Sequence, residues 1–177
     1  EAVRALPPPF VQPDEAALAR APGDPNIVIN LAQITLATDD APRTVALLAE
    51  LPAEIRRNPA VARLDGIARA ATGDHEAAIP RLELARRSAP DDPVLLNNLG
   101  VCLSALGRIG EAVAAFELVP DPGVELRINL SGLLMQLDQA ERARGLLADG
   151  LRAMPDAAAL HRQMAVAARA LAHLTLA

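Results

Sequence analysis

The chain has 177 residues, enough to bury one substantial core or one continuous stack of repeats. Apolar residues make up 51%, yet there are only two Phe, no Trp and no Tyr, and the net charge is −5. Without a basic face or aromatic stacking platforms, nucleic acid is not expected as a partner.

Every basic residue is Arg, so a catalytic lysine or a phosphate-loop lysine is excluded. Cys102 is the only cysteine, which rules out an intrachain disulfide and a cysteine metal cluster. No apolar run reaches the length of a membrane span and no signal peptide is visible, so membrane insertion is not expected. A cytoplasmic location is preferred, with a periplasmic one compatible. The chain begins at Glu1 rather than Met and is read as a fragment or a processed product. Good helix formers dominate and period-two alternation is scarce, so the expectation is an all-α protein.

Residues 1–12 contain Pro7-Pro8-Pro9 and are expected to form an extended linker. Asp14 to Ala21 reads as a short helix closed by Pro22. A period then emerges from punctuation. Asp24-Pro25, Asn58-Pro59 and Asp92-Pro93 follow one another at 34-residue intervals. Each couples an N-cap side chain with a proline at the first helical position, where the missing N–H costs nothing. Pro22, Pro90 and Pro155 each fall three residues before a unit begins.

This grid divides the chain into repeats 25–58, 59–92, 93–123 and 124–157, with a capping helix over 156–173. The third repeat is three residues short, its second helix ending near Val119 before Pro120-Asp121-Pro122-Gly123. The first departs most, with Ala32, Thr44 and a second helix cut short by Pro52. The second carries Asp65 where Leu is expected, Arg69 where an aromatic is expected, and Pro80 inside its second helix, which is expected to bend it.

The third repeat reads Leu96-x2-Leu99-Gly100-x2-Leu103, then Ala112-x3-Phe116. This spacing resembles the tetratricopeptide repeat, a 34-residue helix–turn–helix unit. Gly100 and Ala112 are the small residues that allow close helix packing, and Leu96, Leu99, Leu103 and Phe116 fill the space between the helices. The resemblance covers about residues 13–173. It implies one right-handed α-solenoid of antiparallel helix pairs over residues 13–177, roughly ten helices, in which stacked pairs share a core.

The residues offer little chemistry of their own. His75, His161 and His173 form no four-residue metal pair, and His75 reads as a solvated turn residue. Cys102 reads as a buried, inert thiol. No serine sits in a nucleophile turn, and the glycines occupy packing or turn positions rather than a phosphate cradle. No catalytic residue, metal or cofactor is expected.

The resemblance implies that the first helix of each repeat lines a concave groove. The sixth position of that helix often carries Asn, and here the sixth residues are Asn30, Leu64, Asn98, Asn129 and Gln163. An amide there can both donate to and accept from an extended peptide backbone, or it can bond within the fold; both readings stand. Further groove candidates are Ile29, Gln33, Leu36, Arg63, Ile67, Asn97, Val101, Ser104, Ile128, Met135, Gln136, Arg162, Val166 and Arg169. The carboxylate clamp of chaperone-binding members is not reproduced, since its pattern fails at Ile67, Glu125 and Asn129. The function implied is a non-catalytic scaffold that binds an extended peptide or a helix of a protein partner. The alternative is the regulatory or substrate-recruiting arm of a larger enzyme such as a glycosyltransferase or sulfotransferase. A homo-oligomer is compatible with either.

Overall fold

The structure, a computed structural model, describes residues 24–174, apart from the side chains of Ala170, His173 and Leu174. The expected linker over 1–12 and the helix over Asp14 to Ala21 lie outside the described residues. Within them the chain is helical throughout, with no strand and ten helices. These are α1 (Pro25–Ala37), α2 (Ala41–Ala49), α3 (Ala53–Arg56), α4 (Pro59–Ala71), α5 (His75–Arg86), α6 (Pro93–Ala105), α7 (Ile109–Glu117), α8 (Val124–Gln136), α9 (Ala140–Ala153) and α10 (Ala158–Leu174). The backbone divides after Ala85 into two compact units.

The periodic N-caps form as the sequence dictates. Asp24 accepts from the Asn26 N–H at 2.9 Å, Asn58 from Ala60 at 2.9 Å, and Asp92 from Val94 at 2.8 Å. Pro25, Pro59 and Pro93 each occupy the first turn, so the proline never removes an intrahelical bond. The fourth repeat breaks the pattern, because Gly123 precedes α8 and supplies no capping side chain.

Each repeat turns between its two helices through one left-handed residue. These are Asp39, Gly73, Gly107 and Asp138, all with positive φ. The next residue's N–H then reaches back to a carbonyl in the last helical turn. Asp40 bonds Thr35 at 2.8 Å, Asp74 bonds Arg69 at 2.9 Å, Arg108 bonds Leu103 at 2.9 Å and Gln139 bonds Leu134 at 2.8 Å. This is the six-to-one bond of a Schellman motif, which satisfies a carbonyl that the helix end would leave open.

Packing within each repeat follows one rule. A small residue on the first helix faces a large one sixteen residues later on the second. The pairs are Ala32 with Leu48, Gly66 with Leu82, Gly100 with Phe116 and Ser131 with Leu147, all eight buried. The approach is closest at Gly100, where an added Cβ would lie 2.5 Å from Phe116 Cε1. At Gly66 it would lie 2.9 Å from Leu82 Cγ. Glycine is required at these sites by space, not by conformation.

In the first unit, Val28, Leu31, Ala32, Leu47, Leu48, Leu51, Val61 and Leu64 form one buried cluster across α1, α2 and α4. Leu51 and the single turn α3 follow α2, so Pro52 does end the second helix early, and α3 buries none of its own residues. The departures from the repeat are compensated in pairs. Thr35 and Thr44 share a buried hydroxyl–hydroxyl bond of 2.8 Å, and the hydroxyl that accepts in it has its own proton for a backbone carbonyl, that of Ala32 for Thr35 or Asp40 for Thr44.

The second repeat makes a charged version of the same exchange. Asp65 is 4% exposed. Its two oxygens receive Arg69 Nε at 2.7 Å and Arg81 Nε at 2.8 Å. Arg69 extends further to Asp74 at 2.8 Å, and Arg81 reaches the Arg56 carbonyl at 3.3 Å. Burial lowers the proton affinity of Arg69, but the charges and hydrogen bonds of Asp65 and Asp74 outweigh it and hold the guanidinium above its ordinary pKa. Pro80 sits inside α5 without ending it. His75 starts that helix half-buried rather than solvated, with Nδ1 buried and unpartnered.

In the second unit α6 packs on α7, α7 on α8, α8 on α9 and α10, and α9 on α10. The last helix covers Leu147 with Leu160 and Ala167, while Arg162 and Arg169 are exposed.

Two tests follow from this packing. Gly100→Ala should lower stability by about 1–3 kcal/mol through overpacking against Phe116. Gly110→Ala, where an added Cβ meets nothing within 4 Å, should raise it by about 0.5–1 kcal/mol. Urea melts of both variants check this, and equal effects would mean that the close approach is not limiting. For the buried charges, Asp65→Asn should cost about 2–4 kcal/mol because two arginines lose their carboxylate. The triple change of Asp65, Arg69 and Arg81 to Leu should recover most of that loss. Additive losses in the triple variant would refute the compensation.

Candidate functional site

The first helices α6 and α8 of the second unit enclose an open cleft with a volume of ≈ 340 Å³. It is lined by Val101, Ser104 and Ala105 from α6, Phe116 from α7, and Asn129 and Leu133 from α8. Val101, at 38% exposure, is a large apolar side chain left in solvent at the rim. Phe116 is 2% exposed and forms the floor, held there because Gly100 has no side chain to displace its ring.

No lining residue carries a charge. The polar groups are the Ser104 hydroxyl and the Asn129 carboxamide, against four apolar neighbours. Such a surface can bury an apolar side chain and offer one amide and one hydroxyl to a peptide backbone. It contains no nucleophile–base pair and no general acid.

The expected groove residues separate by position. Asn30 and Gln33 are exposed on α1 and Arg63 is half-buried on α4, all in the first unit. Asn97 and Asn98 are half-buried on α6, and Asn129 is exposed on α8. Of these only Asn129 lines the cleft, together with the candidates Val101 and Ser104. Asn98 donates its side-chain N–H to the Val94 carbonyl one turn back on its own helix, at 2.8 Å. That places it among side chains that serve their own helix. Met135 and Ile128 pack against the Leu147–Leu160 cluster. Arg162 is exposed on α10.

Ala105, Phe116 and Leu133 were not among the expected groove residues. Ala105 directly follows Ser104 at a groove position of the repeat, so the spacing could have found it. Phe116 and Leu133 read as core from their periodicity, and they are core that borders a gap.

Among the described residues no group of three or more His, Cys, Asp or Glu could hold a metal ion. His161 faces the Pro155 carbonyl at 2.7 Å. Cys102 is fully buried, and burial pushes its thiol pKa up. No helix among the described residues is long and apolar enough to cross a membrane.

Capped helix pairs on a fixed period, joined by left-handed turns and packed small against large, define a helical-repeat protein. Over residues 69–125 the chain matches the family model described as tetratricopeptide repeat. Its fold is shared by a thermophilic TPR protein of Thermus thermophilus. That match has 23% identity and a TM-score of 0.58, and covers 86% of each chain. YrrB, described as a TPR protein with an unusual peptide-binding site, has 17% identity and a TM-score of 0.70, over 86% of this chain and 80% of its own. MamA of Desulfovibrio magneticus has 16% identity and a TM-score of 0.69, over 82% and 88%. No curated protein matches the chain by sequence.

The buried thiol gives a direct check on this part of the structure. The folded state holds the Cys102 proton more tightly than the unfolded state does. The stability from this group is therefore complete below the ordinary thiol range and lost as pH rises through the raised value. Labelling by an aromatic disulfide reagent near pH 8 should be slow in buffer and should accelerate with urea as the chain opens. Rapid labelling of the native protein would show that Cys102 is accessible.

Proposed function

We propose that the protein is a non-catalytic interaction scaffold whose α6–α8 cleft binds an extended peptide segment of a protein partner. The observation that carries this reading is the cleft itself, with an apolar floor on Phe116, an exposed Val101 at the rim and the exposed Asn129 amide beside them. The peptide-binding site of YrrB, on a similar fold, supports the same class of ligand. The clamp for acidic C-terminal tails is not matched, and the uncharged lining agrees with a ligand recognised by backbone and apolar contacts.

Asn129 contributes the backbone-reading amide in this proposal. Asn98, engaged with Val94, is secondary, and Asn97 would extend the contact along α6. Asn129→Ala should weaken peptide binding by about 1–3 kcal/mol if its amide is buried against the ligand, and Asn98→Ala should weaken it less. Because no charged group lines the cleft, the affinity should change little between low and high salt. Calorimetric titration against a panel of neutral, acidic and basic extended peptides is the measurement. Full affinity in Asn129→Ala, or steep salt dependence, would move the site elsewhere.

A further inference from the structure

The α6–α8 cleft is open at a position that two of the other repeats close with a side chain of their own. Its wall on α6 includes Ser104, the twelfth residue of that helix, half-buried, with the exposed Ala105 beside it. The twelfth residue of α1 is Leu36 and that of α8 is Met135, while the second repeat carries Ala70 there.

Both long side chains lie on the same kind of floor. Met135 packs against the cluster of Leu147, Leu160 and Ala167. Leu147 stands in the fourth repeat where Phe116 stands in the third, and Ala167 is the tenth residue of α10 as Leu133 is of α8. Leu36 packs against the cluster that contains Leu48 and Leu64. Leu48 holds the place of Phe116 in the first repeat, and Leu64 is the sixth residue of α4 as Asn129 is of α8.

In the third repeat the corresponding side chain stops at the Ser104 hydroxyl. Val101 is left at 38% exposure, and Ala105 and Asn129 are exposed around the opening. The floor on Phe116 and Leu133 therefore borders open space of ≈ 340 Å³ where its counterparts border a Leu or a Met. Atoms facing such a gap lack the dispersion partners that a packed side chain would give them.

The two occupants share a shape. Leu and Met carry a single methylene at Cβ and widen only beyond it, whereas Val, Ile and Thr are wide at the point of entry. Neither carries a charge, which suits a lining that has no ionic partner to offer.

We infer that the ligand of this cleft anchors itself by one Leu or Met side chain, which lies beside Ser104 on Phe116 and Leu133 as Leu36 and Met135 lie on the floors of their own repeats. The inference rests on the peptide reading of the cleft and adds the identity of the anchor. Ser104 is the residue that keeps the place vacant for it, and Asn129 meets the peptide backbone next to the anchor.

The test titrates short Thr- and Ser-rich extended peptides, identical except for one central Leu, Met, Phe, Ala or Asp, into the full chain. Methyl resonances of Val101 and Leu133 report binding. The Leu and Met peptides should bind about tenfold or more tighter than the Ala peptide, and the Asp peptide should not saturate. Ser104→Met should abolish binding of the Leu peptide and raise the melting temperature, because the chain then covers its own floor. Ser104→Ala, which removes the hydroxyl without filling the space, should weaken binding far less. Equal affinity for the Leu and Ala peptides, tighter binding of the Phe peptide, or undiminished binding by Ser104→Met would each overturn the anchor. In those cases shifts at Val101 and Leu133 that vanish in Asn129→Ala would leave the peptide cleft intact. No shift at either residue with any peptide would overturn the cleft reading and the anchor together. If Ser104→Met fails to fold, the peptide series decides.

Discussion

The structure depends on how closely two helices of one repeat can approach. Where Gly66 and Gly100 face Leu82 and Phe116, the opposing side chain lies almost on the helix backbone. A large residue can then fill the crossing without leaving a void, and the dispersion contacts it makes are those of a close-packed interior. The same small-to-large pairing recurs with Ala32 and with Ser131, so one steric rule serves four helix pairs. This explains how a chain almost without aromatics builds a core. Its volume comes from Leu at fixed places, with one Phe at the crossing where Gly100 stands opposite.

That rule also places the α6–α8 cleft. Phe116, on α7, is buried and forms its floor. The gap arises where α6 and α8 carry Ser104, Ala105 and Asn129 in place of bulk. It required no strained backbone, and no charge cluster that would demand an ion lines it. The glycines and aspartates at the left-handed turns keep the helix ends satisfied, and the repeats reach their crossings with little left unpaired.

Much of this was legible in the sequence. The Asp-Pro and Asn-Pro dipeptides marked helix starts because capping and proline geometry are local, and the structure closes each of those caps. The small-to-large crossings followed from the repeat pattern. What the pattern did not reveal was how departures compensate. Asp65 and Arg69 read as separate irregularities along the chain, yet with Arg81 they meet in one ion network across α4 and α5. Thr35 and Thr44 do the same across α1 and α2. The groove was legible only as a set of positions. Whether an amide turns outward, as a rim for a ligand, or back to its own helix, as Asn98 does, depends on side-chain rotamers that repeat spacing does not encode.

The Asp65 network has a consequence for how the chain finds its register. Repeats built to one rule are nearly interchangeable, so any first helix could pair with any second helix during folding. Asp65 removes that freedom for one of them. Set against α2, α7 or α9, where Leu47, Ala115 and Leu146 occupy the place of Arg81, its carboxylate would be buried without the interhelical arginine. A buried charge stripped of a partner costs several kcal/mol, comparable to the whole stability of a small domain. The network thus acts as a key cut for a single lock, and it makes the second repeat the one that cannot be shuffled, duplicated or exchanged between neighbouring molecules without penalty.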